Sequence, residues 1–201
     1  MKKRVVVTVG RFHPPHLGHL KLFKKMVEFS SSGDDIMIFP TDTYKKATGT
    51  RYPLEYQKKI GWMKKLFGDY SQYIQEPGIK GVNPFTAMTW ISDMLKYNEV
   101  LYVVGGDRVE GMEAKLHDYN STEEFTNPTF KKGDYAFENI DIRCAGGRNP
   151  ESEGVDGASG TKMREAATVN TQKFIDEYVK MGLKRQEAMK LMAELRDGMN
   201  I

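Results

Sequence analysis

The sequence predicts an α/β fold: a doubly wound parallel sheet of about five strands with helices on its faces. Two observations carry this. Short β-branched or apolar runs alternate with longer segments whose apolar residues recur at helical spacing. The first run, Val5 to Val9, is β-branched throughout, as a strand covered on both faces should be. The 201 residues suffice for one such domain, over 1–168, and a C-terminal helical appendage over 169–201.

Each element follows from local chemistry. Gly10 ends the first strand, and Pro14 with Pro15 forbids both helix and ladder, so the chain turns. From Gly18 a helix sets Leu20, Phe23, Met26 and Val27 on one side. Asp35 to Phe39 reads as the second strand, and residues 40–52 as a polar, basic loop. Pro53 suits the first position of a helix running to about Phe67. Tyr73 to Gln75 reads as a short third strand. Asn83-Pro84 opens a helix reaching about Tyr97, with Phe85, Met88, Ile91 and Leu95 buried. Val100 to Val104 is the fourth strand, and Gly105-Gly106-Asp107-Arg108 follows it directly. Residues 117–138 are polar and turn-rich, an insertion at the edge of the domain that is long for a plain connection. Ile140 to Ala145 is the fifth strand, alternating Ile140, Ile142 and Cys144 with charges. Helices over 171–181 and 184–196 close the chain. Leu183, Met189, Leu191, Met192 and Leu195 give the last one an apolar stripe, which serves either docking onto the domain or a homo-oligomer contact.

Composition narrows the function. Thirty basic and 27 acidic residues leave a net charge of +3, too balanced for a protein that coats nucleic acid. A single cysteine, Cys144, excludes an intramolecular disulfide and suits a reducing compartment. The basic start Met1 to Arg4 precedes an apolar run only a strand long, so neither a signal peptide nor a membrane span is expected. The expectation is a cytoplasmic protein without a membrane or nucleic-acid partner.

Two stretches carry chemistry. In Gly10-Arg11-Phe12-His13-Pro14-Pro15-His16-Leu17-Gly18-His19-Leu20 a strand feeds a helix N-terminus, whose N–H groups and partial positive charge attract phosphate. His16 and His19 are three apart and share a helix face, so both imidazoles can meet one ligand. Gly18 between them allows close approach to the backbone. His13 is either a turn residue or part of the same site. Zinc would need further ligands, and only His117 and Cys144 remain, neither with ligand spacing. No protein-held metal is expected. The stretch resembles the first signature of the HxGH nucleotidyltransferases, a superfamily that includes nicotinamide-nucleotide adenylyltransferases, pantetheine-phosphate adenylyltransferases and glycerol-phosphate cytidylyltransferases.

The second stretch is Ser159-Gly160-Thr161-Lys162-Met163-Arg164. Ser159 suits an N-cap, and the Thr161 hydroxyl and Arg164 guanidinium fall on one face of the helix it opens. Alone this is a capped helix; paired with the first stretch it is a second phosphate cradle. It resembles the superfamily's Ser-Ser-Thr-x-x-Arg signature, with the middle glycine found in archaeal-type nicotinamide-nucleotide adenylyltransferases. The resemblance covers about Val5 to Ala167.

It implies a Rossmann-like fold and transfer of a nucleoside monophosphate, AMP from ATP in first place, to a phosphorylated metabolite such as nicotinamide mononucleotide, releasing pyrophosphate. Mg²⁺ would accompany the triphosphate. His16, His19 and Arg164 would be catalytic. Gly10, Arg11, Phe12, Gly18, Ser159, Thr161 and Lys162 would bind the nucleotide, as would Gly105 and Asp107 in the turn after the fourth strand, Asp107 being either a nucleotide contact or only the cap of the next helix. Thr41, Lys45, Lys46 and Arg51 would meet the second substrate. Trp90 would stack on its pyridine ring or else belong to the core. A cytidylyltransferase, a pantetheine-phosphate adenylyltransferase and a non-catalytic nucleotide-binding protein are the alternatives.

Overall fold

The computed structural model describes residues 3–42, 51–105, 109–120, 135–146 and 158–201. The predicted site residues Lys45, Lys46 and Asp107 lie outside them. The chain forms two compact units, one drawn from Met1–Gly10, Leu22–Phe39 and Gln75–Arg148, the other from Arg11–Lys21, Pro40–Ile74 and Asn149–Ile201.

The first unit is built on a parallel sheet. Strands β1 (Arg4–Gly10), β2 (Asp35–Pro40), β3 (Glu99–Val104) and β4 (Asn139–Cys144) lie in the order β2-β1-β3-β4. Val5 pairs with Val100 and Val7 with Tyr102, all four buried, so the continuous β-branched run does form a central strand. Beyond those pairs the buried Thr8 hydroxyl donates to the Val103 carbonyl at 2.8 Å. From β1 the chain moves toward β2, and from β3 toward β4. The carboxyl ends of the two central strands therefore flank the topological switch point, where open α/β sheets take ligands. This is a Rossmann-like fold.

Helix α1 (Leu17–Phe29) buries Phe23 and Met26, but Val27 is 40% exposed and leaves the expected apolar stripe. Helix α2 (Tyr56–Phe67) belongs to the second unit. Helix α3 (Pro84–Asp93) begins with a capping box: Asn83 Oδ1 accepts from the N–H of Phe85 at 2.9 Å and of Thr86 at 3.2 Å, and Thr86 Oγ1 accepts from the Asn83 N–H. It ends at Asp93 rather than near Tyr97, because the chain turns at Lys96 (φ 58°) and folds the Tyr97 ring back into the core. Helix α4 (Val109–Asp118) precedes β4.

Three further expectations are corrected here. Tyr73 to Gln75 is no strand: residues Gly68–Tyr73 form a 3₁₀ helix, Ile74 makes only an isolated bridge, and the Gln75 N–H donates to the Ile38 carbonyl. The described sheet thus has four strands. The polar stretch after His117 returns to the core at its far end, where Tyr135 and Phe137 are buried and Asn120 exchanges hydrogen bonds with Phe137. On β4, burial fades along the strand, leaving Cys144 exposed.

The second unit is helical. α2 opens at Tyr56, three residues after Pro53, because Glu55 is still extended and Leu54 is buried before the helix starts. Helices α5 (Gly160–Val169), α6 (Thr171–Lys180) and α7 (Arg185–Met199) follow one another. α7 closes on α2 through the Trp62 indole N–H donating to Glu194 at 2.7 Å and a Lys65–Glu187 ion pair. Gly198 lies so near Pro53 that a side chain there would collide with the Pro53 carbonyl. Leu183, Leu191, Met192 and Leu195 are buried as the stripe predicts, whereas Met189 is 48% exposed. No helix among the described residues is long and apolar enough to cross a membrane.

Candidate active site

The histidine loop lies wholly in the second unit, between β1 and the first turn of α1. Phe12 adopts a left-handed backbone (φ 52°), which costs a bulky residue about 1–2 kcal/mol and marks a constrained turn. Its buried ring packs against His19, with centroids 4.6 Å apart. The His13–Pro14 peptide is cis. The rings of His16 and His19 lie 3.7 Å apart and 35° from parallel.

Their backbone partners set their chemistry. His16 Nδ1 accepts from the Gly18 N–H at 3.2 Å, and His19 Nδ1 accepts from the His16 N–H at 3.1 Å. A nitrogen that accepts carries no proton, so each neutral ring holds its proton on Nε2. Two Nε2–H donors from adjacent rings suit an anionic ligand. Gly18 serves this packing directly: a Cβ there would lie 3.0 Å from His16 Cε1 and 3.3 Å from the Ala158 carbonyl oxygen. The space predicted for a ligand over Gly18 is thus taken by the His16 ring itself.

The second signature meets the first. Ser159 is buried and its hydroxyl accepts from the Lys162 N–H at 3.1 Å, so it caps α5 as predicted. From the first turn Arg164 Nη1 donates to the His13 carbonyl at 2.5 Å, and Nη2 donates to Thr161 Oγ1 at 3.2 Å. Gly160 makes this possible, since a Cβ there would sit 2.8 Å from the His13 oxygen and 3.1 Å from Arg164 Nη1. Partial burial, then the neighbouring charges of Arg11 and Arg51, pull Arg164 below its usual pKa, while Tyr52 opposes them. Arg11 reaches the Tyr52 hydroxyl at 3.5 Å, and Arg51 stands 5.5 Å from that ring's centroid. Positive charge that weighs on Arg164 in this way is relieved when an anion joins it. Arg51, expected on the second substrate, thus lies within the electrostatic reach of Arg164.

Behind the loop sits a residue that sequence reasoning missed. Lys59, on α2, is fully buried. Its Nζ lies 3.1 Å from His13 Nε2 and donates to the Thr41 carbonyl at 2.5 Å. His13 Nδ1 accepts from the Leu54 N–H at 3.3 Å, which puts the ring proton on Nε2 facing the amine. Burial lowers the Lys59 pKa to about 7, with Asp42 pulling the other way. The signal for its burial was spacing: Lys59, Met63 and Leu66 share one face of α2, and all three are buried. From the C-terminal side the buried Tyr178 hydroxyl of α6 donates to the Pro15 carbonyl at 2.7 Å.

The cytidylyltransferase-like family model matches residues 7–166. The chain belongs to this family. It is therefore a nucleotidyltransferase, and both signature stretches fall within the matched span. No curated protein matches it in sequence. Among solved structures it is similar to Plasmodium falciparum nicotinic acid mononucleotide adenylyltransferase complexed with NaAD, at 11% identity and TM-score 0.59, over 96% of each chain. At that identity the likeness is one of fold.

In this cytidylyltransferase-like chain the remaining predicted residues lie as follows. Gly10 ends β1, and Gly105 follows β3 as an exposed residue. Trp90 is half-buried in the first unit, edge-on to Phe39 at 5.9 Å, and packs against the core there. Thr41 is buried, its carbonyl held by Lys59. Thr161 and Lys162 are exposed on the first turn of α5.

Proposed function

We propose that the chain is an adenylyltransferase that moves AMP from ATP to a phosphorylated metabolite of the nicotinamide mononucleotide type. The observation that carries this reading is that, inside one compact unit, Arg164 is bonded to the His13 carbonyl of the loop that carries the His16–His19 pair, with the charges of Arg11 and Arg51 acting on it. Family membership supports nucleotidyl transfer. The choice of acceptor is supported by the Gly-Arg-Phe and Ser-Gly-Thr forms of the two stretches, and by the fold shared with an enzyme named for nicotinic acid mononucleotide.

In this reading an acceptor phosphate oxygen attacks the α-phosphorus. The bond from that phosphorus to the bridging oxygen breaks, and pyrophosphate leaves with the electron pair. The nucleophile is already anionic, so no general base is required; alignment and charge neutralisation are. His16 and His19 donate from Nε2 to phosphate oxygens. Arg164 is held by His13 and Thr161 through one N–H of each terminal nitrogen, leaving the rest of its fork to span the β- and γ-phosphates. The Thr161 hydroxyl accepts from Arg164 and so turns its own proton outward.

Among the described residues no three His, Cys, Asp or Glu side chains form a metal cluster. The donors gathered here fit phosphate oxygens, so Mg²⁺ would arrive on the triphosphate and supply charge neutralisation there.

A pyrophosphate-release assay, with ATP and CTP against a panel of phosphorylated metabolites, tests the reading. Release with ATP and nicotinamide or nicotinic acid mononucleotide is expected. Release only with CTP would move the chain to the cytidylyltransferases, and nucleotide binding without release would make it a sensor.

A further inference from the structure

The buried amine of Lys59 has no role in the chemistry above, yet it sits directly behind the site. We propose that Lys59 is a positioning residue for the polyphosphate cradle, acting through His13 to hold Arg164. It rests on the functional reading given above, since the cradle is what it positions.

The chain of contacts is continuous. Lys59 Nζ meets the His13 ring at Nε2, the Leu54 N–H meets the same ring at Nδ1, and the His13 carbonyl receives Arg164 Nη1. The ring is thus gripped from both nitrogens, and the main chain carrying the Arg164 acceptor is fixed with it. Lys59 also donates to the Thr41 carbonyl, which ties the chain leaving β2 to the histidine loop. The groups facing Lys59 are His13 from that loop, Thr41 and Asp42 from the segment after β2, and Tyr56 from its own helix. Among them the mutual fit is specific. With Leu54 donating to Nδ1, His13 must present Nε2–H, and the amine must accept it through its lone pair. The lowered pKa of Lys59 makes that unprotonated amine available near neutral pH. Burying an amine is costly unless it is compensated, so an apolar side chain of similar length would be the simpler core residue at this position. What the amine adds is the grip on His13.

The test is a double-mutant cycle read by calorimetric titration with inorganic tripolyphosphate. This probe needs no knowledge of the acceptor. Lys59→Met is expected to weaken binding by about tenfold, and Arg164→Ala by at least as much. In the double variant Lys59→Met is expected to cost less than about twofold beyond Arg164→Ala, because the two act through one contact. Binding by Lys59→Met equal to wild type, or losses that multiply, would overturn the proposal, since a merely structural lysine gives no such coupling. If Lys59→Met does not fold, Lys59→Leu, which likewise cannot accept from His13, enters the same cycle with the same criteria. A wild-type chain that binds no tripolyphosphate would overturn the functional reading and this inference with it; wild-type binding with no coupling would overturn this inference alone.

Discussion

Arg164 reaches back to the carbonyl oxygen of His13 at 2.5 Å, across 151 positions of sequence. This bond joins the first turn of α5 to the loop that carries the paired imidazoles. It also orients the guanidinium plane, because the second terminal nitrogen is fixed on Thr161. Charge alone does not reproduce this. Arg164→Lys retains a cation but loses the planar fork. It is expected to weaken triphosphate binding by about tenfold and lower turnover by about 10²-fold, with little change in melting temperature. Titration calorimetry beside a thermal melt checks it. A variant that binds and turns over like wild type would remove Arg164 from the site.

The imidazole pair makes a different prediction, because each ring is set by the backbone of the other's turn. His19→Ala removes one Nε2–H donor and also the acceptor for the His16 N–H. Turnover is expected to fall by about 10²–10³-fold, the usual size for one preorganised donor. The His16→Ala, His19→Ala double variant is expected to fall by much less than the product of the single effects, because the pair works as a unit. Initial rates of pyrophosphate release by all three variants decide it.

Gly160 is the residue on which the two signatures close. A methyl at this position would press on the His13 oxygen at 2.8 Å, which is backbone and yields little, and on Arg164 at 3.1 Å. Gly160→Ala is expected to destabilise the fold by about 1–3 kcal/mol and to weaken triphosphate binding together with it. Gly61 offers the control. It lies on the exposed side of α2 with nothing within 4 Å of its would-be Cβ, so Gly61→Ala is expected to stabilise by about 0.5–1 kcal/mol and leave binding unchanged. Equal effects at the two glycines would mean that helix propensity, not the close approach to His13, governs position 160.

Much of this was legible in the residues, for reasons that differ between elements. Val5 to Val9 announced a central strand because burial on both faces leaves a continuous β-branched run. Ser159 announced a cap because a hydroxyl before a helical turn has one favourable use. Tyr73 to Gln75 misled because aromatic and amide residues in a short run do not distinguish a strand from a 3₁₀ turn. Pro53 misled because it suits an extended approach to a helix as well as its first residue. Tyr135 and Phe137 were hidden in a polar context, and their burial depends on partners distant in sequence, Leu116 and Asn120 among them. The meeting of Arg164 with His13, and of Tyr178 with Pro15, is tertiary and leaves no local mark.

Tyr178 shows how the C-terminal helices bear on the site. Its hydroxyl is fully buried and satisfies the Pro15 carbonyl, and burial holds its ionisation well above the ordinary tyrosine range. Tyr178→Phe strands that carbonyl without opening a large cavity. A loss of about 1–2 kcal/mol is expected, with a modest weakening of triphosphate binding as the histidine loop loosens. Unfolding by denaturant, alongside tripolyphosphate titration, measures both. Lost stability with binding intact would confine α6 to the scaffold.

Lys59 gives stability a pH dependence whose sign can be worked out. Unfolded, the amine has its ordinary pKa of 10.5; folded, burial lowers it to about 7. Between those values the unfolded chain binds the extra proton, so stability rises with pH across that window. Below about pH 7 both states are protonated and the contribution is at its least; above about 10.5 both are neutral and it no longer changes. The slope from this one group is at most about 1.4 kcal/mol per pH unit. Lys59→Met removes it. Denaturant unfolding of wild type and variant at pH 7, 8 and 9 is therefore expected to show wild type gaining stability relative to Lys59→Met as pH rises. Parallel curves over this range would mean that the amine stays protonated in the fold. His13 would then have to accept at Nε2 from Lys59, and the Leu54 N–H would lose its partner at Nδ1.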